Sequence, residues 1–213
     1  MIPKITMPLL VPASHAVHEL EVRRSRFISQ AEKIEDPKAA KDHQHKRREE
    51  YPGCSHVVYA FLIGTENNYT MGQTDDGEPK GTSGSPVLEA IKGSGVTNVL
   101  ITVVRYFGGT KLGKGGLVRA YTDSAKGALN NLVTEPFVRK CRFSLQIPYN
   151  IFDPFNKLVA EQGGEVLSAE YNTDISVKFT VPEDEVAHVR DVLRDMTSGS
   201  VILPENNEGN NNG

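Results

Sequence analysis

Apolar residues in the first part of the chain alternate with polar ones in short runs, which is the period of a half-buried β-strand. This alternation predicts two strands between residues 16 and 34, joined by a turn near Arg23 to Ser25. Aromatic and β-branched runs predict further strands at 56–64, 66–74 and 98–107. Capping residues and terminal glycines predict helices at 36–52, 86–93 and about 117–132.

The pattern changes after residue 134. It predicts strand, helix, strand, strand, helix and strand, in the segments 137–147, 152–163, 165–171, 174–181, 182–196 and 200–203. This is the βαββαβ order of a ferredoxin-like sandwich. We therefore predict an α+β protein of two domains, residues 1–134 and 136–204, with Glu135 and Pro136 in the linker and a disordered tail at 205–213.

Composition narrows the class of protein. The 213 residues are 38% hydrophobic and 24% charged, which is typical of a soluble globular chain. No apolar run approaches the roughly 18 residues of a membrane span, and the start lacks the apolar core of a signal peptide. Cys54 and Cys141 form no metal-binding or disulfide pattern. We therefore expect a cytoplasmic protein with no structural metal, no cofactor and no membrane partner.

Net charge restricts how the chain could bind nucleic acid. A formal charge of -3 excludes a general polycation, so such binding requires a local basic patch. One candidate is the acid-free stretch from Arg105 to Tyr121, which contains Arg105, Lys111, Lys114 and Arg119. The predicted turn at 23–26, with the sequence RRSR, adds positive charge.

Glycines cluster in two loops, at 74–86 and 105–116. Glycine clusters indicate backbone with positive φ or a close approach of the backbone to another group. Both loops precede predicted helices, where free amides bind either an anion or a capping carboxylate. In the second loop the candidate phosphate-binding residues are Gly108, Gly109, Gly113, Gly115 and Gly116.

Two aromatic residues, Tyr106 and Phe107, precede these glycines and could stack on unpaired bases. Because neighbouring strand residues point to opposite faces, at least one of the two rings is expected in the core.

The first loop contains three acidic residues, Asp75, Asp76 and Glu78. Clustered carboxylates bind hard cations or act as an acid and base pair, but they also serve as turn residues and helix caps. Arg105 stands at the end of its strand and either binds a ligand or pairs with this loop. His56, which opens a nearby strand, is interpreted as a hydrogen-bonded core histidine.

The segment 108–115 matches the phosphate-binding pattern GxxxxGK but has Gly115 where Ser or Thr would hold Mg²⁺. Magnesium-dependent hydrolysis is therefore not expected. The segment GTSGS also departs from the GxSxG pattern of a serine nucleophile, because its last position is Ser85. We expect no enzymatic activity and no catalytic residues.

Three segments together resemble the YigZ/IMPACT family: SRFIS at 25–29, DDGEPKGTSGSPVL at 75–88 and VVRYFGGTKLGKGGLVRAY at 103–121. The resemblance implies an N-terminal domain similar to the second domain of a small-subunit ribosomal protein. It also implies a C-terminal domain similar to a terminal domain of elongation factor G. Eukaryotic members regulate translation by binding a partner of a stress-responsive kinase. The resemblance carries over no catalytic residues.

Two hypotheses about function follow, and a purely structural interaction module, which needs only surface patches, is left open beside them. The first is a non-enzymatic protein that binds RNA or a ribosome-associated partner and influences translation. The alternative is an enzyme or binder acting on a phosphorylated small molecule or nucleotide through the loop 108–116. The alternative requires the carboxylates and the basic loop to meet in one open cleft rather than to pair with each other.

Overall fold

A computed structural model describes residues 9–65 and 68–204, and its contacts divide the chain after Phe137 into two units. The first unit contains an antiparallel sheet of five strands in the order β2-β3-β6-β4-β5. These strands are β2 (Ala16–Val22), β3 (Ser25–Lys33), β4 (His56–Thr65), β5 (Asn68–Thr74) and β6 (Val99–Tyr106). Its helices are α1 (Ala39–Glu50), α2 (Gly84–Lys92) and α3 (Gly113–Asn130).

Helices cover both faces of this sheet. The main core lies between one face and helices α2 and α3, and it includes Phe27, Ile101 and the fully buried Tyr121. On the other face, α1 packs against β4 and β6. Strand β6 is central and covered on both sides, which explains its nearly continuous apolar sequence, VLITVVRY.

Two short strands that the sequence analysis did not predict extend the first unit. Strand β1 (Leu10–Pro12) pairs antiparallel with β7 (Thr134–Pro136). The prediction that Glu135 and Pro136 form a linker is therefore wrong, because the backbone there is paired within the first unit. The three-residue strand β7 is too short to show an alternating pattern, and it ends at Pro136, a residue that is tolerated in edge strands.

The second unit has a three-stranded antiparallel sheet in the order β8-β10-β9. Its elements are β8 (Lys140–Ile147), α4 (Tyr149–Glu161), β9 (Glu165–Tyr171), β10 (Ile175–Pro182), a 3-10 turn (Glu183–Glu185) and α5 (Val186–Met196). Its core includes Phe143, Phe155 and Phe179. Both units mix helices and strands, so the α+β prediction is confirmed.

The last predicted strand, at 200–203, is not a strand in the structure. Leu203 is nevertheless 1% exposed and packs in the second core. Val201 packs partly against the same core, whereas Ile202 is 74% exposed, so alternate residues of this segment face the core without any sheet hydrogen bonds. The βαββαβ prediction is corrected to βαββα followed by this segment.

No helix within residues 9–65 and 68–204 is long and apolar enough to cross a membrane. The predicted tail at 205–213 lies outside the described residues.

Candidate functional site

We call the first glycine-rich loop, at 74–86, the acidic loop. Its residue Asp75 caps helix α2 from outside the helix. Its carboxylate accepts hydrogen bonds from the backbone of Gly81 (2.7 Å), Ser83 (3.2 Å) and Gly84 (2.9 Å), and from Ser83 Oγ (2.7 Å). Partial burial would raise the pKa of Asp75, but these hydrogen bonds outweigh burial and hold the pKa below its ordinary value. The loop geometry therefore depends on an ionised Asp75.

Asp76 joins the acidic loop to the start of β4. Its carboxylate accepts a hydrogen bond from the Val57 backbone at 2.5 Å and pairs with Arg48 of α1. The Asp76 backbone oxygen lies 2.7 Å from His56 Nδ1. Because a carbonyl only accepts, His56 carries a proton on Nδ1. His56 is therefore hydrogen-bonded as interpreted, but its side chain is 24% exposed rather than in the core.

Glu78 lies at the centre of a buried polar cluster. Its Oε1 accepts a hydrogen bond from Arg105 Nη1 at 2.5 Å and another from the Tyr121 hydroxyl at 2.8 Å. The side chains of Glu78 and Arg105 are 3% and 6% exposed. Burial and the charge of Glu78 raise the pKa of Tyr121 above its ordinary value, so the phenol remains a donor. This cluster connects the acidic loop, β6 and α3.

These contacts decide how the acidic loop and Arg105 are used. All three carboxylates accept hydrogen bonds from the protein, and no group of three or more potential metal ligands occurs in the described part of the chain. The sequence left two roles open for Arg105, ligand binding and pairing with the acidic loop. The structure shows Arg105 paired with Glu78. Arg105 is therefore corrected from a candidate ligand-binding residue to a structural one, because its charge is neutralised and buried.

The basic loop begins where two backbones touch. A Cβ atom on Gly108 would lie 2.0 Å from the Arg24 carbonyl carbon, so only glycine fits there. The Gly108 amide donates to Ser25 Oγ at 3.2 Å. Gly109 and Gly113 have φ of +82° and +74°, which favours glycine for conformational reasons. The loop thus connects to the β2–β3 turn and leads directly into α3.

Helix α3 begins at Gly113, four residues earlier than predicted. Its first turn contains Gly115 and Gly116, and no side chain caps its N-terminus. A Cβ on Gly116 would lie 3.1 Å from Leu112 Cβ, whereas a Cβ on Gly115 would meet nothing within 4 Å. Local packing therefore explains Gly116, but it does not explain Gly115.

The three remaining basic residues, Lys111, Lys114 and Arg119, are exposed. None of them forms an ion pair within the part of the chain that the structure describes. We call the surface formed by these three side chains and the backbone of residues 108–116 the basic loop surface.

The two aromatic residues at the end of β6 have different environments. Tyr106 packs against the small core of Ile28, Val57 and Val104, and its hydroxyl donates to the Pro52 carbonyl at 3.3 Å. Phe107 is 50% exposed. The expectation that at least one ring is in the core is met only in part, because Tyr106 is half-buried against this small core rather than enclosed in it. Tyr106 was a candidate for stacking on bases, but its ring packs against the sheet. Phe107 therefore remains the candidate ring for contact with a base.

The β2–β3 turn places two more cations next to the basic loop surface. Arg23 and Arg24 are exposed and have φ of +48° and +65°. The sequence pattern located this turn, but it gave no indication that the turn would contact Gly108. That contact became visible only with the fold, because it joins residues more than eighty positions apart.

Taken together, the fold and the site define a two-unit α+β protein with a buried ionic cluster under an exposed basic loop. The family model of the Impact N-terminal domain matches residues 23–129, and that of a domain of unknown function, DUF1949, matches residues 145–200. The chain belongs to the IMPACT family.

Several relatives span nearly the whole chain. The Escherichia coli protein described as IMPACT family member YigZ is 33% identical over 195 residues, covering 91% of this chain and 96% of that protein. Bacillus subtilis YvyE, another IMPACT family member, is 30% identical over 190 residues, covering 88% of this chain and 86% of its own length.

A crystal structure described as that of a hypothetical protein covers 96% of this chain and 100% of its own, with a TM-score of 0.79 and 32% identity. The architecture described above is therefore shared with a solved structure.

Proposed function

We propose that this protein is a non-enzymatic, cytoplasmic RNA-binding protein that acts in translation, with the basic loop surface as its RNA contact. The observation that carries the proposal is the set of three exposed cations, Lys111, Lys114 and Arg119, which have no acidic partner in the described chain. Cations without protein partners are available to phosphate oxygens, which dominate the affinity of proteins for nucleic acid.

The backbone of the same surface supports the proposal. Gly115 lies in a helix, where glycine destabilises relative to alanine, and no neighbouring atom requires it. A bare backbone at an uncapped helix start lets phosphates approach the free amides closely. A ligand that approaches this backbone accounts for Gly115, whereas packing within the protein does not.

The non-enzymatic part of the proposal rests on the same geometry. The carboxylates of the acidic loop are engaged by protein donors, and Glu78 pairs with Arg105. This pairing supports the non-enzymatic proposal, because the enzyme hypothesis requires the carboxylates and the basic loop to meet in one open cleft rather than to pair with each other. Gly115 also lacks the hydroxyl that a phosphate-binding loop uses to hold Mg²⁺. We expect no ATP or GTP turnover by the purified protein, and turnover that Lys114→Ala abolishes would restore the enzyme hypothesis.

The translational part of the proposal comes from the family. Eukaryotic IMPACT proteins regulate translation, and the three motifs that carry the resemblance contain both loops of the site. RNA is favoured over a protein partner because the exposed groups are cations on bare backbone.

A substitution experiment tests RNA binding by this surface. The full chain and the triple variant Lys111→Ala, Lys114→Ala, Arg119→Ala are titrated against fluorescently labelled RNA. Each phosphate contact on a single strand contributes a salt slope of about -0.7, so loss of three contacts is expected to weaken binding by roughly 100-fold at about 0.1 M salt.

Lys126→Ala is the matched control, because Lys126 is exposed on the same helix about 10 Å beyond Arg119. It should leave the affinity unchanged. If Lys126→Ala weakened RNA binding as much as the triple variant does, the loss of affinity would come from net charge and not from the basic loop surface. RNA binding unaffected by the triple variant would overturn the proposed site, and a protein partner would then be the better candidate.

A further inference from the structure

We infer that the RNA bound at this site is single-stranded, and that its path runs from the basic loop surface across Phe107 to the turn arginines, Arg23 and Arg24. The inference rests on the proposed RNA-binding function and adds three residues and a substrate class to it.

The backbone brings these residues together. Gly108 lies against the Arg24 carbonyl so closely that a Cβ there would clash at 2.0 Å. Ser25, the residue after the turn, accepts a hydrogen bond from the Gly108 amide at 3.2 Å. Phe107 directly precedes Gly108. The turn arginines, the exposed ring and the start of the basic loop surface therefore form one continuous surface.

The turn arginines occupy a backbone conformation that arginine disfavours. A two-residue turn with positive φ at both positions is the place where Asn-Gly is strongly preferred. Arg23 and Arg24 adopt it with φ of +48° and +65°, and in the described chain neither forms an ion pair. The nearby Arg26, by contrast, makes a paired contact with Glu19 at 2.9 Å. Contacts within the protein do not offset the unfavourable conformation, whereas contacts with phosphates would.

Phe107 provides a fixed aromatic platform between the two groups of cations. Its amide donates to Ser55 Oγ at 3.2 Å, and the guanidinium carbon of Arg105 lies 5.7 Å from the ring centre. The backbone of Phe107 is thus anchored, and one ring face lies near a buried cation, while half of the residue remains exposed. The exposed ring is suited to stack with a base.

The exposed ring of Phe107 favours single-stranded over double-stranded nucleic acid. Bases of a duplex are already stacked on each other, whereas an unpaired base has a free face for an aromatic side chain. A protein partner would also contact an exposed phenylalanine. The adjoining segments of the chain carry five exposed cations, Lys111, Lys114, Arg119, Arg23 and Arg24, and these favour a polyanion instead.

The test uses the full chain and two labelled probes, a short oligouridylate and an RNA duplex of the same length. The oligouridylate should bind at least tenfold more tightly at equal salt. Phe107→Ala should weaken its binding at least fivefold, the lower end of the range for one base stack, while Phe107→Tyr should retain affinity. Neither substitution should alter duplex binding.

The turn is tested by a variant whose effects on stability and binding should have opposite signs. Arg23→Asn with Arg24→Gly installs the residues this turn prefers, so the melting temperature should rise. Loss of two phosphate contacts should weaken oligouridylate binding roughly 25-fold at about 0.1 M salt. Replacement of both arginines by Lys should retain most of the affinity. The control Lys41→Ala, an exposed residue near the start of α1, should change neither quantity.

The possible results separate this inference from the proposed function. Equal affinity for the two probes, or binding that the Phe107 and turn variants leave unchanged, would overturn the inference while the basic loop surface remains the RNA site. A lower melting temperature in the Asn-Gly variant would make the turn arginines structural and remove them from the path. Absence of binding to either probe at low salt would overturn the proposed function itself.

Discussion

The buried pair between Arg105 and Glu78 predicts a large and specific loss of stability when one partner is removed. Arg105→Met leaves the Glu78 carboxylate, with a side chain 3% exposed, without its cation. Breaking a buried ion pair in this way costs about 3–5 kcal/mol, mostly because an uncompensated charge stays buried. For a unit of this size the melting temperature is expected to fall by about 10–20 °C.

A second substitution separates loss of the charge pair from loss of packing. Glu78→Gln removes the negative charge and keeps an oxygen that can accept the hydrogen bond of the Tyr121 hydroxyl. In the unmodified protein this hydroxyl lies 2.8 Å from Glu78 Oε1. Combined with Arg105→Met, Glu78→Gln leaves no unpaired buried charge. The double variant should therefore be more stable than Arg105→Met alone, by about 2 kcal/mol.

Calorimetry of the full chain measures the four proteins of this double-mutant cycle, and RNA titration of each provides the second readout. The predicted result is a non-additive pair of stability changes, with RNA binding retained wherever the protein is folded. The reasoning is refuted if Arg105→Met leaves stability unchanged and abolishes RNA binding, because Arg105 would then be a ligand-binding residue rather than a structural one.

Three further predictions concern the loops and the second unit. Asp75→Ala should destabilise the first unit by about 1–2 kcal/mol at neutral pH through loss of the α2 cap. Because the pKa of Asp75 is lowered on folding, its stabilisation is complete above roughly pH 5 and lost as pH falls through the folded pKa, so thermal melts should show a weaker acid dependence in the variant. Gly115→Ala should raise stability by about 0.5–1 kcal/mol while weakening RNA binding, and equal or tighter binding would contradict a close backbone approach. Residues 138–204 expressed alone should unfold cooperatively, whereas a molten fragment would contradict an independent second core.

Most elements of the fold could be predicted from the sequence because their patterns are local. The alternation around Phe27 and the continuous apolar run of β6 both reflect how each strand is buried. The pairing of β1 with β7 could not be predicted, since it joins segments more than 120 residues apart. The early start of α3 was also missed, because its first turn is rich in glycine, which is a poor helix former.

The candidate site was predictable in outline but not in its division of roles. Composition located both loops and the acid-free basic stretch. It could not decide whether Arg105 faces a ligand or Glu78, because a buried pair and a binding residue have the same sequence signal. It also could not distinguish Tyr106 from Phe107 as the exposed ring, since that depends on what covers each face of the sheet.

The salt dependence of RNA affinity for the unmodified chain tests the central claim most directly. Three phosphate contacts from Lys111, Lys114 and Arg119 predict that the logarithm of the binding constant falls with the logarithm of salt concentration with a slope of about -2. Participation of Arg23 and Arg24 would steepen the slope to about -3.5. A slope near zero, or no detectable binding at low salt, would contradict an electrostatic RNA-binding surface on this protein.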